Sequence, residues 1–102
     1  MLIFANPIYY YELCGQLKTL LDRCNPLYLS DYRFRDVFLI TTSTEDTEEV
    51  SDTAESGMQG WVDCFPKAKL VSVLSGGGLS DSADAEKSET FLQAAYELGK
   101  NA

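Results

Sequence analysis

The chain of 102 residues contains no histidine. That absence removes the commonest general base and the commonest metal ligand, so neither a Ser-His nor a Cys-His nucleophile is available. Cysteine is scarce: Cys14, Cys24 and Cys64 form neither an even disulfide set nor a CxxC ligand pair, and they read as buried free thiols. With no acid-base pair or metal cluster in view, any redox chemistry would have to be carried by a bound cofactor. Positive charge is also short. Eight basic residues stand against sixteen acidic ones, giving a net charge of −8 and a pI near 4.3. Binding a phosphate backbone requires clustered Lys and Arg, so nucleic acid and anionic membranes are excluded as expected partners. No apolar run approaches the roughly 18–20 residues that span a bilayer, and the first residues lack a signal-peptide pattern. The expected compartment is the cytoplasm.

What is present is an alternation. Three short apolar runs, Leu2–Ala5, Val37–Thr41 and Leu70–Leu74, are separated by stretches with helical spacing. Near-continuous apolar strands between helices predict an α/β fold with a parallel sheet. In the first helical stretch, Leu13 to Cys24, the residues Leu13, Leu17, Leu20, Leu21 and Cys24 fall on one stripe, and Asn25-Pro26 should stop it. In the second, Val50 to Phe65, the stripe is Val50, Ala54, Met58, Trp61, Val62 and Phe65, ended by Pro66; Asp46-Thr47-Glu48-Glu49 has capping-box spacing before it. The third, Phe91 to Leu98, starts somewhere between Ser82 and Ser88, with Gly99 as its stop. No linker divides the chain, and residues 1–102 read as one domain.

The order β-α-β-α-β-α has a consequence through handedness. Right-handed crossovers place the first two helices on one face and leave only the third for the other. One helix covers three strands poorly. A further strand beside Leu2–Ala5, with its helix, would complete such a sheet; without it an apolar edge and part of a face are open. The expected solution is upstream sequence, a partner, or a homodimer or larger homo-oligomer, the simplest being a two-fold dimer in which the first strand or the uncovered face meets its own copy.

The chemistry-bearing stretches lie after the strands. Asn6-Pro7-Ile8-Tyr9-Tyr10-Tyr11 leads from the first strand toward a helix, a unit that binds flat ligands at the carboxyl edge of a parallel sheet. Three tyrosines there serve equally to pack the domain or an interface. Thr41-Thr42-Ser43-Thr44 ends the second strand at the same edge, with hydroxyls suited either to a ligand rim or to the approach to a helix. Gly76-Gly77-Gly78 follows the third strand but lacks phosphate-loop spacing and reads as a turn. The acidic run Glu45 to Asp52 reads as a helix start and solvated face. Lys18 and Arg23 can steer an anionic ligand, but Arg23 beside Asp22 reads rather as an ion pair or helix cap.

Leu2-Ile3-Phe4-Ala5-Asn6-Pro7-Ile8-Tyr9, then Gly15-Gln16-Leu17-Lys18 and Leu21-Asp22-Arg23, resembles the third strand, flavin loop and following helix of the NAD(P)H-dependent FMN reductases. This flavodoxin-like group includes the multimeric flavodoxins and iron-sulfur flavoproteins. The resemblance continues through Trp61-Val62-Asp63-Cys64-Phe65-Pro66 and the glycine turn, and it omits the family's first βαβα unit with its Ser/Arg phosphate loop. It implies a truncated flavodoxin-like three-layer sandwich holding the third to fifth strands. It further implies an oxidoreductase that moves hydride from NAD(P)H through FMN to a quinone, flavin or other acceptor, with the truncated chain not active alone. Pro7, Ile8 and Tyr9 are the implied flavin contacts, Tyr10 and Tyr11 the wall or gate, and Thr42, Ser43 and Thr44 the polar rim. No catalytic side chain and no metal ligand is implied. Two alternatives stand beside it: a flavodoxin-type electron carrier, and a non-catalytic dimerisation module that has lost flavin.

Overall fold

The three apolar runs form strands β1 (Leu2–Pro7), β2 (Asp36–Thr42) and β3 (Lys69–Gly76), paired in parallel in the order β1-β2-β3. The structure is a computed structural model that describes residues 1–102, apart from the side chains of Glu48 and Ser82. Each strand outruns its apolar core, because ladder pairing extends to polar partners such as Asn6 with Thr41 and Thr42 with Gly76. Pro7 closes the edge strand, where a missing N–H is tolerated. Pairing between β2 and β3 slips once: Val37 faces Leu70 but Phe38 faces Ser72, so Val71 is an extra, bulged residue.

Helix α1 spans Gly15–Asp22, shorter at both ends than the apolar stripe predicts. Leu13 and Cys14 stay outside it, with Cys14 extended and its amide donating to the Asn6 side chain. Asn25-Pro26 does not simply end the helix; with Leu27 it forms a short 3-10 turn, proline sitting in the first turn where its lost donor costs nothing. Helix α2 spans Asp52–Asp63 and is preceded by a 3-10 turn, Glu48–Ser51. The capping box expected at Asp46–Glu49 is not formed: neither Thr47 nor Ser51 caps through its side chain. The third helical stretch is two helices, α3 (Ser82–Lys87) and α4 (Glu89–Lys100), broken where Ser88 turns extended. A capping box does occur here, between Asp81 and Asp84, and Ser88 caps α4 by accepting from the Phe91 amide. Gly99 lies inside α4 rather than ending it.

Strand parity assigns the faces. Leu17 and Leu21 of α1, and Met58 and Val62 of α2, share one core with Val37 and Leu39 of β2; Leu2, Phe4, Leu70 and Val73 pack at its margin. The first two helices therefore cover the same side, as crossover handedness requires. Phe38, the intervening residue of β2, is buried on the opposite side. There the ring of Phe91 stands against Gly76 and fastens α4 over β3. No α4 residue is fully buried, and Ile3 and Ala5, the β1 residues on that side, are exposed. The half-covered face predicted from the helix count is thus located beside β1. At the amino edge of the sheet Phe4, Tyr32, Phe34, Trp61 and Phe65 interlock, with Phe34 stacked on Trp61 at 5.7 Å and Phe65 tilted against it at 4.8 Å. No helix of the described residues is long and apolar enough to cross a membrane.

Candidate functional site

The loops that leave the carboxyl ends of the three strands are tied to one another before they diverge. Ile8 donates its amide to the Thr42 carbonyl at 2.8 Å, Ser43 donates to Gly76 at 2.9 Å, and Leu79 donates back to Ser43 at 2.7 Å. The first two bonds continue the sheet ladder beyond the strands, and the third ties the end of the glycine turn back to Ser43. Gly77 is required for this: a Cβ there would stand 2.6 Å from Asp46 Oδ1 and 3.0 Å from Asp46 Cα. Gly78, at a φ of 71°, completes the turn. The glycine run packs against the Glu45-Asp46 corner. A carboxylate occupies the position an anion would need, and the run serves as the close approach between two loops.

After β1 the chain makes a tight reversal. Tyr9 and Glu12 exchange backbone hydrogen bonds of 3.4 and 3.2 Å, and the two residues between them, Tyr10 and Tyr11, have φ values of 52° and 68°. Two consecutive positive φ angles are the signature of a type I′ turn, normally the preserve of Asn and Gly. For residues bearing a Cβ this conformation costs roughly 1–2 kcal/mol each. Tyr10 recovers nothing by burial, being 95% exposed. Tyr11 is anchored: its hydroxyl donates to the Glu45 carboxylate, 2.9 Å from Oε1 and 3.1 Å from Oε2. That hydrogen bond, and then the negative charge of Glu45, raise the phenol above its usual range.

These elements enclose a cleft of about 180 Å³ lined by Ile8, Tyr10, Tyr11, Ser43, Thr44, Glu45 and Val50. Five of the eight residues singled out by sequence meet there: Ile8, Tyr10, Tyr11, Ser43 and Thr44. Pro7 and Thr42 face each other in the last rung of the ladder behind it, and the Tyr9 side chain lies outside. Among the described residues, the amides of Tyr10, Tyr11 and Thr44 donate to no protein acceptor and are free for a ligand. The Ile8 and Tyr9 amides are already spent.

Glu45, Val50 and Asn6 escaped the sequence reading as site residues. Glu45 was part of an acidic run and Val50 part of a helical stripe, and nothing local marks their approach to Tyr11. Asn6 is only 2% exposed, and its Oδ1 accepts from the Cys14 amide at 2.8 Å while its Nδ2 has no partner. It clamps both ends of the tyrosine loop. An asparagine immediately before a Pro-containing loop was the available signal.

No basic side chain among the described residues lines the cleft. Lys18 pairs with Asp22 along α1, and Arg23 takes the helix C-cap, as its neighbours imply. Among the described residues no three His, Cys, Asp or Glu side chains converge to hold a metal ion. The thiols are also redistributed: Cys14 is buried, but Cys24 is half-buried and Cys64 exposed, correcting the expectation of three buried cysteines. Comparison with protein-family models, curated proteins and solved structures finds no match to this chain.

Proposed function

We propose that this chain is the flavin-ring-facing portion of a flavodoxin-like NAD(P)H-dependent FMN reductase, the part that holds its third to fifth strands. The observation that carries the reading is the convergence of residues 8–11 and 43–45 in one cleft at the carboxyl edge of a parallel sheet, the place where open α/β sheets bind ligands. Tyr10 offers an unburied aromatic face for stacking, and the free amides of Tyr10, Tyr11 and Thr44 suit the carbonyl and nitrogen edge of an isoalloxazine. The strained turn supports the same reading, since conformational cost without burial is a mark of a functional loop.

The fit extends to the ring system and not to the phosphate. The cleft is smaller than the roughly 300–1,000 Å³ of complete ligand sites, so it receives one edge of the ring. The acidic side chain present is Glu45, and Asp46 fills the glycine turn. Bound FMN would supply two-electron carriage from NAD(P)H to a quinone, flavin or other acceptor. The protein groups orient the ring through backbone amides, shield one face with Tyr10, and set a negative charge beside it that disfavours an anionic reduced ring. The same carboxylate favours a second reading, a module of this fold that has lost flavin.

Fluorescence quenching of riboflavin and FMN by the purified chain tests the proposal. A phosphate loop would add several charge-assisted hydrogen bonds at roughly 1.5–3 kcal/mol each. Without one the chain should purify colourless and bind riboflavin at least as well as FMN, with binding lost in Tyr10→Ala. Failure of both flavins to bind near 1 mM, a bare −4 kcal/mol of affinity, would leave the second reading in place.

A further inference from the structure

At the end of the molecule opposite the cleft, where α1 and α2 finish, Cys24, Asn25, Tyr28, Trp61, Cys64 and Phe65 line a groove of about 260 Å³. None of these side chains is charged. The walls are rigid: Trp61 is fixed by stacking on Phe34 and by its Nε1 donating to the Leu21 carbonyl at 3.2 Å. Directly beside the groove the loop after α1 presents Leu29, 88% exposed and at a φ of 67°. A leucine is rarely found in that backbone region, and burial within this chain does not explain it. The loop is held in place by Tyr28 donating to Asn25, and by the Ser30 amide and hydroxyl both donating to the Leu27 carbonyl. Leu20 and Leu27, also exposed, extend the apolar surface. Knob and hole therefore sit side by side on one preorganised patch.

We propose that this patch binds a second copy of the chain, the Leu29 side chain of each protomer entering the groove of the other about a two-fold axis. A knob adjacent to its own matching hole is what an isologous contact requires, because each side then supplies both halves. The charge distribution is compatible with the same face. Residues 22–36 carry three acids, Asp22, Asp31 and Asp36, against three bases, Arg23, Arg33 and Arg35, whereas Glu45 to Glu55 holds six acids and no base. Like-charge repulsion between copies of a chain of net charge −8 is therefore weak at the groove's end and strong at the Glu45–Glu55 run. The edge of β1 offers less: it is six residues long, ends in proline, and shows only Ile3 and Ala5 on its open side. The groove, rather than the first strand, is the self-association surface.

Sedimentation of the intact chain without flavin, over a dilution series reaching about 1 mM, tests this independently of the cleft. The expected result is a reversible dimer, with emission of Trp61, the sole tryptophan, shifting to the blue as concentration rises. Leu29→Asp should raise the dissociation constant at least about tenfold, as expected of an anchoring side chain. Its far-UV spectrum should not change, since that side chain is exposed. Ile3→Glu should leave the dimer intact. A monomer at the highest concentration, or a dimer abolished by Ile3→Glu and untouched by Leu29→Asp, overturns the proposal.

Discussion

The Asn6 side-chain oxygen accepts a hydrogen bond from the Cys14 amide across the whole tyrosine loop, joining the end of β1 to the approach of α1. The bond is buried, so its loss cannot be made good by water. Asn6→Ala should therefore destabilise the fold by about 1–3 kcal/mol, the penalty of an orphaned buried donor. Urea denaturation measures it. Because Asn6 Nδ2 is already unpartnered, the cost should come from the oxygen alone, and Asn6→Asp, which retains that acceptor but buries a carboxylate, should recover stability only at low pH.

The tyrosine turn should trade stability against binding. Tyr10→Gly removes a Cβ from a positive-φ position while giving up no buried surface. It should stabilise the chain by up to ~1 kcal/mol, after the added entropy of an unfolded glycine is subtracted. Flavin quenching should weaken in the same variant. A thermal melt and a riboflavin titration on one preparation read both signs.

Tyr11 should titrate above the usual phenol range. Its folded-state phenol lies above the usual value of 10.0 because of Glu45, so the interaction supports the fold fully below that pH and is lost as pH rises through the folded value. Ultraviolet difference titration of the native chain, compared with Tyr11→Phe, should show the Tyr11 phenol ionising above 10.0. Glu45→Gln should lower it toward the usual phenol value, and Tyr11→Phe should delete the step.

Gly76→Ala should release the last helix. A Cβ there would approach the Phe91 ring to 2.7 Å and Leu79 Cδ1 to 2.8 Å, too close for either to remain in place. Overpacking of this kind costs about 1–3 kcal/mol. Because α4 has few other attachments, hydrogen exchange should accelerate in Glu89–Lys100 more than in β2.

The alternation of strands and helices, and the shared face of α1 and α2, could be read from the chain because they rest on periodicity and handedness, which are local properties. Two of the misreadings came from tertiary contacts. Asp46 and Glu49 have the spacing of a capping box, but the Glu45 carbonyl accepts from Gly78 and Asp46 packs on Gly77, so the chain cannot turn into a helix until Asp52. Cys14 falls inside the predicted helical stretch Leu13 to Cys24, yet Asn6 holds it extended. The cleft was half readable for the same reason. Ile8, Ser43 and Thr44 follow from where their strands end, whereas the bond from Tyr11 to Glu45 joins residues 34 apart and leaves no mark on either segment.

The bulge in β3 makes chain length negotiable at one point. On either side of Val71 the side chains keep their faces, Leu70 with Val37 and Val73 with Leu39 toward the core, because the extra residue is absorbed between them. Deleting Val71 would join two segments already in register, whereas deleting Val73 would send every later residue of the strand to the wrong face. A one-residue deletion should thus be tolerated at this position of a parallel sheet, where elsewhere only loops accept one.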